Sequence, residues 1–345
     1  MIKWLNVPDE TRRRAYTQIA ENSGMSAFGA EKDWWVVQTL SVLFETSIKD
    51  QLVFKGGTSL SKAWKLIERF SEDIDLAVGR EFFGFTGELT TNQGKTLRKT
   101  AGEYIETTLL SELKHRFTEK GFMEAGTKLE LEAGVDSDRD RVIYLHYPNV
   151  IEPPGYVLPP IKIEISCRSL MEPFTIQTFA SLLDEYYPDA EFAQAPVSIP
   201  TVNPERTFLE KVFLLHEEFQ RPKEKMRVEK LSRHLYDIVK LAKAGYMDKA
   251  IKNPELYQTI VEHRQKFNKV GGVDYNLHVP QSINPLPPAN VLNSWKADYN
   301  TMAIEMIYEQ NPPSFEQILE EITLIKNGIN ALPWKPNLNF PPPNL

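Results

Sequence analysis

Residues 55–76 read KGGTSLSKAWKLIERFSEDIDL and gather the residue types that phosphate chemistry needs. Asp73 and Asp75 stand two positions apart in a short apolar run, so in a strand both carboxylates project to one face while Ile74 turns into the core. Hard carboxylate oxygens suit magnesium, which takes one or two protein carboxylates and fills its other positions with phosphate oxygens and water. Gly56 and Gly57 end the apolar run Leu52 to Phe54 and let backbone N–H groups approach a phosphate. The Thr58 and Ser59 hydroxyls, with the start of the helix they can cap, favour its negative charge. A glycine turn alone is usually only a turn, and an Asp-x-Asp pair is usually a solvated strand end. Joined by one amphipathic helix, they become a phosphate cradle beside a metal pair able to hold a nucleoside triphosphate.

Transfer of a nucleotidyl group on one magnesium ion or two also needs a group that helps activate the attacking hydroxyl. Glu164 is the candidate, as a catalytic third carboxylate and metal ligand. It lies in IKIEIS, where Ile161, Ile163 and Ile165 alternate with Lys162, Glu164 and Ser166. In a central strand that polar face sits next to the aspartates; on an edge strand it meets water. Lys162, on the same face, can pair with Glu164 or reach the phosphates. The GxxxxGK[ST] and GxGxxG fingerprints and the kinase signatures are absent, which removes those alternatives.

The elements that must position these residues follow from periodicity. Apolar spacing predicts helices over 9–22 and 29–48, a strand at 52–54, a helix from the glycine turn to about Arg69, and a strand over 73–78. A long helix over 93–118 follows, then strands over 127–135 and 141–147 joined by the polar turn DSDRD. Pro153, Pro154, Pro159 and Pro160 bracket a loop before the strand 161–166. Helical patterns then dominate, over 205–220, 227–244, 246–267, 289–309 and 314–329. Between them lies a long loop over 269–288, and the tail PWKPNLNFPPPNL reads as extended.

At 345 residues, with 41% apolar and 11% aromatic content, the chain can fill the cores of two domains. Its 40 basic and 47 acidic residues give a net charge of -7, which excludes a protein that coats nucleic acid through bulk charge. Any RNA contact is therefore local. The run RPKEKMRVEKLSRH offers one, through Lys223, Lys225, Arg227 and Lys230; it reads equally as a solvated helix face broken by Glu224 and Glu229. The single cysteine, Cys167, excludes an internal disulfide and reads as a buried small hydrophobe. The six histidines show no HxxxH spacing. No secretory leader and no membrane-length apolar run are present, so the expected address is the cytoplasm, with no membrane partner.

The run KGGTSLSKAW…RFSEDIDL resembles the signature of the AbiEii/AbiGii-type nucleotidyltransferase toxins, within the DNA polymerase beta nucleotidyltransferase superfamily. AEKDWWVVQTL, IKIEIS, ERTFLEKVFLLH, RHLYDIVKL and WKADYNTMAIEM are similar to further blocks of that family, so the likeness spans roughly residues 29–325. It implies an α+β protein: a mixed nucleotidyltransferase-type sheet with flanking helices over 1–200, a helical domain over 201–332 and an extended tail over 333–345. It implies that Gly57 and Thr58 or Ser59 hold the triphosphate and that Asp73 and Asp75 hold magnesium. It adds Lys211 of TFLEK, to bind and neutralise the leaving pyrophosphate, and Asp237 of RHLYD, an acid needed for activity. The family's arginine–aspartate pair reads Arg233-His234 in this chain. The implied function is magnesium-dependent transfer of a nucleoside monophosphate from an NTP to an acceptor hydroxyl. The expected acceptor is RNA, at the 3′ end of transfer RNA, and the role is that of the toxin of a toxin–antitoxin or phage-defence pair with a cognate antitoxin. A nucleotide-binding partner without turnover and a protein-modifying transferase are the alternatives.

Overall fold

The computed structural model describes residues 2–133, 140–153 and 159–342. The DSDRD turn except for Asp140, Pro154 and the last three residues of the tail lie outside the described residues. The chain forms two compact units, one of Met1–Trp64 with Phe70–Val202, the other of Lys65–Arg69 with Asn203–Leu345. The short excursion of Lys65–Arg69 into the second unit is a feature that no division read along the chain anticipates.

The first unit opens with helices α1 (Asp9–Ser23) and α2 (Ala27–Leu43), then strand β1 (Leu52–Lys55) and a helical turn α3 (Gly56–Thr58) that continues as a π turn over Ser59–Ala63. Strand β2 (Ile74–Val78) follows. Helices α4 (Thr91–Tyr104) and α5 (Leu110–Glu119) are joined by a π turn over Ile105–Leu109. Strands β3 (Lys128–Leu131), β4 (Arg141–His146), β5 (Ile161–Ser166) and β6 (Phe174–Phe179), helix α6 (Leu182–Tyr186) and strand β7 (Val197–Val202) complete the unit.

The strands make one mixed sheet of seven in the order β3-β4-β5-β2-β1-β7-β6. The pairs β2/β5 and β1/β7 are parallel and the rest antiparallel. β5 is therefore interior, and its Ile161, Ile163 and Ile165 are buried as the alternation requires. Helix α2 is capped by the Ser26 side chain, which accepts the Gly29 N–H, and nearly all its side chains are buried, Trp34 and Trp35 among them. A helix buried that completely must find partners for its charged residues Glu31, Lys32 and Asp33.

The second unit carries helices α7 (Pro204–Gln220), α8 (Arg233–Lys243), α9 (Tyr246–Ile251), α10 (Pro254–Phe267), α11 (Leu292–Met306) and α12 (Phe315–Asn330). The loop over 269–288 is pinned by buried His216. Its Nδ1 accepts the Asn284 N–H at 3.1 Å and its Nε2–H donates to the Leu277 carbonyl at 3.1 Å. Asn330 donates to the carbonyls of Pro280 and Ile283.

Several elements differ from periodicity. The helix expected to reach Arg69 ends at Ala63, and Lys65 takes the left-handed φ of 52° that stops it. The helix expected from 227 begins at Arg233, because Lys230 also turns left-handed, with φ 59°. The helix expected over 246–267 is broken by Pro254, which starts α10 with the Asn253 side chain accepting the Leu256 N–H. Strands β6 and β7 add to the elements that periodicity predicts; Phe174 and Ile176 of β6 are exposed, and Pro200 stands within β7.

Candidate active site

Across the middle of the sheet, Lys55 on β1, Asp75 on β2 and Glu164 on β5 are register partners and share one face. Asp73 stands one residue ahead of β2. Gly56 directly follows Lys55 with φ 82°, a conformation open to glycine, and a Cβ added there would lie 2.1 Å from Asp75 Oδ2. The glycine turn and the carboxylate are thus in direct contact. Gly56 and Gly57 are half-buried, as are Asp73 and Asp75.

The Thr58 and Ser59 hydroxyls are used internally. Thr58 Oγ1 donates to the Asp73 carbonyl at 2.5 Å and contacts Ser71 Oγ at 3.0 Å, while Ser59 Oγ donates to the Gly56 carbonyl at 2.8 Å. Neither caps a helix, which begins at Gly56 with Lys55 in the capping position. Thr58 instead ties the turn to the backbone of the first aspartate. The helical segment is short, so backbone N–H groups rather than a helix dipole are what it offers an anion.

Glu164 accepts a hydrogen bond from Lys162 Nζ at 2.8 Å. Burial alone would raise the Glu164 carboxyl, but Lys162, with the charges of Lys55 and Arg168, holds it below the usual carboxylate range. Lys162 is itself raised: burial opposes its charge, and Glu164, Asp73 and Asp75 outweigh it. Among the described residues no three His, Cys, Asp or Glu side chains converge on one point. Asp73 and Asp75 carry hard carboxylate oxygens of the kind magnesium takes, a cation that fills its remaining positions with phosphate oxygens and water. Helix α2 braces the motif: Lys32 Nζ reaches Glu72 Oε2 at 2.6 Å, and Lys62 Nζ reaches Asp33 Oδ1 at 2.8 Å.

The second unit holds a separate ionic cluster. The Asp237 carboxylate, fully buried, accepts two bonds from the Arg69 guanidinium, both at 2.7 Å, and one from Lys211 Nζ at 2.8 Å. Burial works to raise the Asp237 carboxyl, and the two cations overcome it and hold it far below its ordinary range. Burial lowers Lys211; Asp237 resists and Arg69 adds to the fall. Lys211 also donates to His234 Nδ1 at 3.2 Å, and burial plus that ammonium keep His234 neutral. His234 thus accepts a hydrogen bond, as an aspartate would.

In the basic run, Lys223 and Lys225 lie on an exposed turn and reach no carboxylate among the described residues. Arg227, though exposed, is ion-paired with buried Glu218 at 2.7 Å, and the Lys230 N–H donates to Asp298 Oδ1 at 2.8 Å. Cys167 is buried, and burial pushes its thiol up to about 12.

The family described as nucleotidyl transferase AbiEii toxin, type IV toxin–antitoxin system, matches residues 39–321. The chain belongs to this family. It is a nucleotidyltransferase, the toxin of a type IV toxin–antitoxin system. Among solved structures it is similar to MenT4, a nucleotidyltransferase toxin from Mycobacterium tuberculosis H37Rv, at 16% identity and a TM-score of 0.44, over 91% of this chain and 98% of that one. It is also similar to JHP933 from Helicobacter pylori, at 16% identity and a TM-score of 0.40, over 85% and 92%. No curated protein matches. No helix among the described residues is long and apolar enough to cross a membrane.

In this AbiEii toxin, residue-by-residue reading missed Lys55, Arg69 and Lys32. Lys55 heads the glycine motif and needed only the hairpin register to be placed beside Asp75. Arg69 and Lys32 carry no local signal, because an isolated cation in a helical stretch is ordinarily solvated.

Proposed function

We propose that this AbiEii toxin transfers a nucleoside monophosphate from an NTP to the 3′ end of transfer RNA, in the cytoplasm, with a cognate antitoxin opposing it. The contact of Asp75 with the Gly56 turn carries the reading, since one surface then offers N–H groups to a triphosphate and oxygens to its cation. Asp73 and Asp75 hold magnesium, which would shield the phosphate charge and polarise the reacting phosphoryl group. Gly56 and Gly57 present backbone N–H groups to the phosphates, and Thr58 and Ser59 keep that turn in shape. Glu164, with its carboxylate kept ionised by Lys162, takes the proton of the acceptor hydroxyl, in preference to acting as a permanent metal ligand. Lys211 neutralises the charge that develops on departing pyrophosphate, and Asp237 with Arg69 holds its ammonium in place. Exposed Lys223 and Lys225 are the RNA phosphate contacts that best fit, ahead of Arg227 and Lys230.

The test incubates the protein with total transfer RNA and each labelled NTP, beside an Asp73→Ala, Asp75→Ala variant. Label on the RNA 3′ end that the variant fails to add is the expected result. Equal labelling by both proteins removes the aspartates from the mechanism. Label that resists ribonuclease but yields to protease moves the acceptor to protein, and NTP binding without pyrophosphate release removes turnover.

A further inference from the structure

We propose that Lys32 is the positioning residue for the carboxylates of this site, acting by holding together the entries of the two strands that carry them. The inference rests on the metal reading above. Lys32 lies on α2 with its side chain fully buried, and its Nζ donates to Glu72 Oε2 at 2.6 Å and to the Pro160 carbonyl at 3.1 Å. Glu72 immediately precedes Asp73, and Pro160 immediately precedes β5. β2 and β5 are parallel neighbours with Asp75 opposite Glu164, so both strands enter the sheet at the same end. One ammonium at that end therefore clamps both.

A buried ammonium keeps its acceptors close because losing either leaves a desolvated charge without a partner. The clamp thereby sets the spacing and register of the strands just where the first aspartate leaves the loop. The next residue on the helix repeats the device. Asp33 accepts from Lys62, on the π turn after the glycines, and from the Leu182 N–H at 2.7 Å. Consecutive residues of one rigid helix thus hold the two halves of the motif.

The experiment measures Mn2+ binding to the purified full chain by electron paramagnetic resonance, with circular dichroism to report the fold. Lys32→Met and Glu72→Gln are expected to bind Mn2+ at least about tenfold more weakly than the parent, as loss of an outer support typically does, and Lys32→Arg to restore much of the affinity. Asp75→Asn is the control and is expected to lose the site. Parental affinity in folded Lys32→Met or Glu72→Gln, with Asp75→Asn defective, overturns the positioning role alone. Parental affinity in Asp75→Asn overturns the metal reading and this inference with it. If Lys32→Met fails to fold, Glu72→Gln decides, because it leaves Lys32 in place and weakens only the charge-assisted bond that ties it to the residue before Asp73.

Discussion

A methyl group on Gly56 would lie 2.1 Å from Asp75 Oδ2, so the glycine turn and the second aspartate of the toxin are each shaped by the other. Gly56→Ala must both accept a left-handed φ and displace that carboxylate. A shift of about 1 Å at a reacting centre costs on the order of 100-fold in rate. We expect nucleotidyl transfer by Gly56→Ala to fall by about that factor with an unchanged circular dichroism spectrum. Near-parental transfer would mean that the carboxylate can move without consequence.

Glu164 offers a second check. As the base that takes the acceptor proton, its loss in Glu164→Gln should slow transfer by roughly 100- to 10,000-fold. Lys162 holds the Glu164 carboxyl below its ordinary value, so the basic form persists as pH falls through the usual carboxylate range near about 4.3. The pH–rate profile of the parent should show no Glu164-dependent loss above that pH. Lys162→Met, which removes the hydrogen bond, should move the acid limb upward; a fixed limb would take Glu164 out of the proton transfer.

Arg69 and Asp237 form a buried bidentate pair, with Lys211 as the third member. Removing one side of such a pair strands a desolvated charge and typically costs about 3–5 kcal/mol. Arg69→Met should therefore destabilise the protein by about that amount in urea or thermal unfolding. Unchanged stability would show that the cluster relaxes to water.

The two units respond to pH in opposite senses through His216 and Glu31. Burial, with the neighbouring His278, pushes His216 down to about 3. Between that value and about 6.5 the unfolded chain binds a proton that the folded chain refuses, so stability falls as pH drops through the window, by up to about 1.4 kcal/mol per pH unit. Glu31 goes the other way: burial raises it to about 7 against the Val150 and Ile151 N–H groups that it accepts. Its contribution is present below about 4.3 and is lost as pH rises through about 7. Thermal midpoints from pH 4.5 to 8 should show that His216→Gln flattens the acid side and Glu31→Gln the alkaline side. Profiles parallel to the parent would refute both assignments.

The sequence by itself determined what depends on neighbours along the chain. Period-two alternation marked Ile161 to Ser166 as a strand with Glu164 on its polar face. The i, i+2 spacing of Asp73 and Asp75 predicted one shared strand face, whereas β2 begins at Ile74 and leaves Asp73 just ahead of it. The glycines announced a close approach, and the family likeness over the same blocks agrees with the match over 39–321. Only the tertiary structure decided which strands are neighbours, and so whether Glu164 faces water or Asp75, because alternation reports burial on a face and is silent about strand order. It also decided how buried charges pair. Arg69 meets Asp237 across 168 positions, and Lys32 meets Glu72 across 40 and Pro160 across 128. Such partnerships arise because a desolvated charge must be satisfied wherever the fold happens to bury it, and no local pattern encodes that requirement.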